Sequence, residues 1–150
     1  MKTMIAVGVL LTSTFAYGAS VEEQVASGVR AYQAAKCIAY AEIAGKSDND
    51  TDSYDKLSKI YSDNVSVYIE NSQNEEFKMQ ALDTTIPITW FGMVYGNRLD
   101  KTILAGRLLE WTNMVETQRV ADTYASGERV VSETAGMAAF NTENCILLIK

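Results

Sequence analysis

The sequence predicts an all-α, single-domain bundle of five or six helices closed by one disulfide. Three observations predict it. Apolar residues recur at three- and four-residue spacing through most of the chain, without the alternation that marks strands. One proline and nine glycines in 150 residues are too few turn residues for a many-stranded sandwich. The only two cysteines, Cys37 and Cys145, lie near opposite ends of the region that follows an export-type leader.

Residues 1–19 read as a signal peptide. Lys2 supplies a positive start, "MIAVGVLLTSTF" over 4–15 is a short apolar stretch, and "AYGAS" offers small residues for cleavage after Gly18 or Ala19. The apolar stretch falls short of the roughly 20 residues a spanning helix needs. Removing 19 of 150 residues leaves about 131, a length suited to one helical domain over 20–150. With Lys2 gone, 12 basic residues face 19 acidic ones, a net of −7.

The first helix is expected from a capping box, Ser20 with Glu23, to about Ala44, with Gly45 as its stop. Val25, Val29, Tyr32, Cys37, Tyr40 and Ile43 trace its apolar face. A second helix starts near Asp52 or Ser53. Tyr54, Leu57, Tyr61, Val65 and Tyr68 form its stripe, widened by Ile60 and Ile69. Ser72 with Glu75 repeats the capping-box spacing and predicts a third helix over 73–84 that buries Phe77, Ala81 and Leu82. Pro87 should open a fourth, although its Ile, Thr, Trp, Phe and Val also suit a buried strand. Gly92 and Gly96, four apart, would let a neighbouring backbone approach.

Asp100 caps the longest helix, over 101–126. Its expected stripe runs through Ile103/Leu104, Arg107/Leu108, Trp111, Met114/Val115, Gln118 and Ala121/Ala125, and Gly127 ends it. A last helix over 128–140 uses Val130/Val131, Thr134 and Met137/Ala138, with Asn141 as its end. "NCILLIK" follows as a short helix or an extended tail that brings Cys145 to the first helix. In an oxidising compartment this pair forms a structural disulfide.

"GKSDNDTDSYDK" over 45–56 gathers Asp48, Asp50, Asp52 and Asp55. With Asp48 as position one of a calcium hand, Asp50 and Asp52 fall at three and five. The turn position is Ser53 instead of Gly, and position twelve is Lys59 instead of Glu. The residues read better as a polar connection whose acids cap the next helix, and no metal is expected. Residues 45–83 hold nine acids and four bases, a net of −5. If the chain has a cationic partner, this acidic surface is the place for it.

Much chemistry is missing. There is no histidine, which removes Ser-His and Cys-His pairs, His metal sites and the commonest general acid or base. No CxxC, Walker loop, GxGxxG or nucleophile elbow occurs. The acidic balance disfavours nucleic acid. No cofactor is expected, and no membrane span after leader cleavage.

The expectation is a small exported protein of the periplasm or the exterior, not an enzyme. It would bind another protein, with a basic one the best electrostatic match, as an accessory factor or inhibitor. One alternative is a small-molecule or lipid carrier with a cavity lined by Tyr32, Tyr61, Trp90, Phe91 and Met93. The other, disfavoured because the helical stripe places Glu110 on a flank, is a carboxylate-based cell-wall hydrolase using Glu110 beside Trp111.

Overall fold

The computed structural model describes residues 18–124 and 132–150. These residues form eight helices and no strand: α1 (Val21–Ile43), α2 (Lys46–Asn49), α3 (Thr51–Asn71), α4 (Glu75–Leu82), α5 (Ile88–Val94), α6 (Lys101–Tyr124), α7 (Glu133–Thr142) and α8 (Cys145–Leu148). The all-α, single-domain expectation holds. Two of the eight, α2 and α8, are single turns. The leader, apart from its last residues, lies outside the described residues, as do Ala125, Ser126, Gly127, Glu128, Val130 and Val131.

The capping box at Ser20 and Glu23 forms as expected. Helix α1 is the centre of the bundle and packs against α3, α4, α6 and α7. It is buried on more than one face because its inward positions are small: Ala31, Ala34, Ala35, Ala39 and Ala41 are all fully enclosed. Alanine pays no side-chain entropy and lets helix axes approach. The expected single face was too narrow. Val29, Tyr32 and Ile43 are only half-buried, whereas the alanines between them carry the packing.

Two glycines set close approaches, and neither is in the expected pair. A Cβ on Gly136 of α7 would stand 2.6 Å from the Ala44 backbone nitrogen, and one on Gly28 of α1 would stand 2.9 Å from Ile86 Cδ1. Gly92 is solvent-exposed with open space around it. Gly96 lies beyond α5 at φ 70°, where it turns the chain instead of packing it.

Helix α3 follows its expected stripe, with Leu57, Tyr61, Val65, Tyr68 and Ile69 buried. Its start differs. Asp50, not Asp52 or Ser53, is the N-cap and accepts from the Ser53 N–H. Helix α4 is capped by Asn74, which accepts from the Glu76 and Phe77 N–H groups. Ser72 is instead buried with its hydroxyl on the Ile69 carbonyl. Phe77 and Ala81 are buried as expected; Leu82 is exposed. Pro87 stands at the N-cap of α5, so the helical alternative holds there. In α7, Ser132 is the N-cap, Ala135, Gly136, Ala139 and Phe140 face inward, and Thr134 and Met137 face out. The helix runs past Asn141 to Thr142.

Helix α6 buries Leu104, Leu108, Thr112, Glu116 and Val120, a row at strict four-residue spacing. The expected stripe gave weight to Ile103 and Met114, which are exposed. Helix surfaces pack along i±4 rows, and the row that meets α1 is polar at two of its five places.

Candidate functional site

Glu116 is the only buried acidic residue among the described residues, 3% exposed. Helix α6 delivers it to the middle of α1. Tyr40 of α1 donates its hydroxyl hydrogen to Glu116 Oε2, and Tyr32 Oη lies 3.5 Å from Oε1. Arg119, one turn along α6, places Nε 2.6 Å from Glu116 Oε2. Its Nη2 donates both to the Tyr40 hydroxyl oxygen and to Glu143 Oε1, the latter at 3.0 Å. Lys36 of α1 completes the chain, with Nζ 2.9 Å from Glu143 Oε2. Three acid–base contacts and two tyrosines thus join α1, α6 and the end of α7.

Burial pushes the Tyr40 hydroxyl well above the ordinary tyrosine range, and its hydrogen bond to Glu116 adds to that. Tyr32 is pushed up to about 12 by burial and by the Glu116 charge. Burial pushes Glu143 up as well, but Lys36 and Arg119 outweigh it and hold the carboxyl below its usual value. Each side chain of the cluster bonds to at least one other member. The arrangement fastens helices, and Glu143, 28% exposed in its side chain, keeps part of its carboxylate at the surface.

One side of this cluster borders a cleft of about 260 Å³ lined by Gln33, Lys36, Glu143, Asn144, Leu147 and Leu148, with the disulfide at its base. Cys37 and Cys145 are bonded, with Cα atoms 5.6 Å apart. Both are enclosed, 4% and 1% exposed. Asn144, at φ 55°, turns the chain from α7 into α8 and so aims Cys145 at α1. Asparagine tolerates this left-handed backbone better than most residues.

The four aspartates of residues 45–56 part company. Asp50 caps α3 and pairs with Lys46 at 2.9 Å. That hydrogen bond from Lys46, with those from Ser53, lowers its carboxyl pKa. Asp52 pairs with Lys56 at 2.7 Å. Asp48 and Asp55 are exposed and form no ion pair among the described residues. The stretch is helical through α2, not an open loop. Beside it Tyr54 donates to Glu42 Oε1 at 2.9 Å. Its hydroxyl is pushed up to about 12 by partial burial, that bond, and the Glu42 and Asp55 charges. No group of three or more acidic or cysteine side chains stands at metal-binding distance among the described residues.

The aromatic residues proposed as cavity lining form a packed cluster. Tyr32 and Trp90 meet edge to face at 5.3 Å, and Tyr68 meets Trp90 and Phe91 at 5.4 Å each. The Trp90 indole donates to the Thr112 hydroxyl at 3.1 Å, which in turn donates to the Leu108 carbonyl. Tyr61 donates to the Ala105 carbonyl. Met93 lines a surface cleft with Arg107, Glu110, Trp111 and Met114. Glu110 is exposed on the outer side of α6, and Trp111 is half-buried against the core.

Sequence reasoning selected Glu110 for its Trp111 neighbour and missed Glu116. The available signal was the four-residue row Leu104, Leu108, Thr112, Glu116, Val120, in which Glu116 holds an inward place. No helix of the described residues is long and apolar enough to cross a membrane. No protein-family model, curated protein or solved structure matches the chain.

Proposed function

We propose that the chain is an exported, non-catalytic helical protein of the periplasm or the exterior, with residues 1–19 as its leader. It binds a basic protein as an accessory factor or inhibitor. The observation that carries this reading is the corner where α2 meets α3. Asp48 and Asp55 present carboxylates to solvent there without an ion-pair partner among the described residues, beside the Tyr54–Glu42 pair. Asp50 and Asp52 serve the corner itself, one as a cap and one as an ion-pair partner. The capped, helical setting holds the free carboxylates in place, so a cationic partner meets a preformed surface.

The engagement of Glu116 supports the non-catalytic part of the reading, since the one enclosed carboxylate among the described residues serves the fold. The test is affinity capture from an envelope extract with the exported protein as bait. A specific partner should elute at high salt, because attraction between exposed charges is screened. Asp48→Asn with Asp55→Asn should weaken capture strongly, whereas Asp63→Asn on the same helix should leave it unchanged. Capture that ignores both salt and the double substitution would refute the acidic corner as the binding surface. Release of sugars or peptides from cell-wall material by the purified protein would refute the non-catalytic reading.

A further inference from the structure

The outer side of α6 carries a second surface. Ile103 and Met114 are 51% and 63% exposed, and Arg107 and Glu110 between them are also exposed. The spacing 103, 107, 110, 114 runs four, three, four, which is the seam of a coiled coil. A groove lies on each side. One, of about 470 Å³, is lined by Glu42, Gly106, Leu109, Glu110, Asn113 and Met114. The other, of about 280 Å³, is lined by Met93, Arg107, Glu110, Trp111 and Met114. Gly106 adds no side chain to the first, and the space where its Cβ would sit is open. A ridge flanked by two grooves is the shape that another helix packs against.

We propose that this face is the contact of a homodimer in which α6 lies antiparallel on α6 of a second copy. The occupant follows from the order of charges. With the twofold axis between Leu108 and Leu109, Ile103 stands level with Met114 of the second copy, and Arg107 stands level with Glu110 of the second copy. Symmetry repeats both pairs. The two charge pairs form the middle of the seam and the two apolar pairs close it at each end. Charged residues at seam positions fix register, because any slip leaves a charge opposite a hydrocarbon. A parallel pairing sets Arg107 against Arg107 and Glu110 against Glu110, and is disfavoured by like charge. At 24 residues, α6 offers about 36 Å of length for the contact.

The test is sedimentation of the full exported chain over a range of concentrations, with a circular-dichroism check that each variant is folded. All four seam residues are exposed, so substitution leaves the fold intact. The wild type should reach twice the monomer mass. Arg107→Glu alone, or Glu110→Arg alone, should raise the dimer dissociation constant at least about tenfold. The charge swap Arg107→Glu with Glu110→Arg should bring it back towards wild type, and Met114→Asp should remove the dimer. A wild type that stays monomeric to ~1 mM would overturn the proposal and leave the face to another protein or to solvent. A dimer indifferent to these substitutions, or one that the charge swap fails to restore, would also overturn it.

Discussion

Arg119 Nε lies 2.6 Å from Glu116 Oε2, one turn away on the same helix, and this pair is the hub that fastens α6 to the centre of the bundle. Glu116 is enclosed while Arg119 is 41% exposed in its side chain, so the cation reaches in from the rim. From there it also holds Tyr40 of α1 and Glu143 at the end of α7. A buried carboxylate costs several kcal/mol unless it is paired and hydrogen-bonded, and here both conditions are met.

Removing the cation therefore exposes the cost. Arg119→Ala should destabilise the protein by about 3 kcal/mol, since it leaves a buried charge with only tyrosine donors. Glu116→Leu with Arg119→Met and Tyr40→Phe should recover most of that loss, because an apolar trio of similar volume leaves no buried polar group unpaired. Urea unfolding of the three proteins checks both statements.

Stability should fall at both ends of the pH scale. Glu143 titrates below its usual 4.5 in the folded protein, because Lys36 and Arg119 outweigh the effect of burial. The unfolded chain then takes up the proton first as pH falls. The contribution is full above 4.5 and is lost as pH drops through the lower folded value. Tyr32, at about 12 against an ordinary 10.0, behaves oppositely. The unfolded tyrosine loses its proton first, so the contribution is full below 10.0 and is lost as pH rises towards 12. Thermal midpoints should be flat between ~pH 5 and ~pH 10. Glu143→Gln should make the acid limb shallower, and Tyr32→Phe the alkaline limb.

Three glycine-to-alanine changes should rank by what the new methyl meets. Gly136→Ala drives a Cβ into the Ala44 and Ile43 backbone at 2.6 and 2.7 Å and should cost about 3 kcal/mol. Gly28→Ala meets the side chains of Ile86 and Tyr68, which can yield, and should cost about 1 kcal/mol. Gly92→Ala meets nothing within 4 Å and lies inside α5, where it should stabilise by up to about 1 kcal/mol. Thermal midpoints in that order check the packing.

Cys37→Ala with Cys145→Ala should cost about 2–5 kcal/mol, as the bond closes a separation of 108 residues. Lys36–Glu143 remains as a weaker tie one residue away from Cys37. The expected result of limited proteolysis is earlier cleavage at the exposed Ile146 and Leu147 of α8, with α1 and α3 still protected.

Periodicity and caps made most of the fold legible: the helices, the Ser20 box, the α3 stripe and the Cys37–Cys145 bond. What failed was local. Ser72 and Asn74 both suit an N-cap, and only the path of the chain decides that Ser72 turns inward. The alanines of α1 carry little hydrophobic weight as letters, yet small size is what a central helix needs. Gly92 and Gly96 looked like a contact pair, while Gly28 and Gly136, 108 positions apart, make the real ones. Glu116 was hidden because a charged residue lowers the apolar weight of its own row; Arg119 is close in sequence, but its other partners, Tyr32 and Tyr40, come from a distant part of the chain.

The proposed function requires export followed by oxidation of one helical body. Intact-mass analysis of the protein recovered outside the cytoplasm of a producing cell, before and after thiol alkylation, tests it most directly. The expected product is a chain that begins at Ala19 or Ser20, has lost both thiol hydrogens and takes up no alkylating agent until reduced. A chain that keeps Met1 and the leader, or one that is alkylated at Cys37 and Cys145 without reduction, would contradict it.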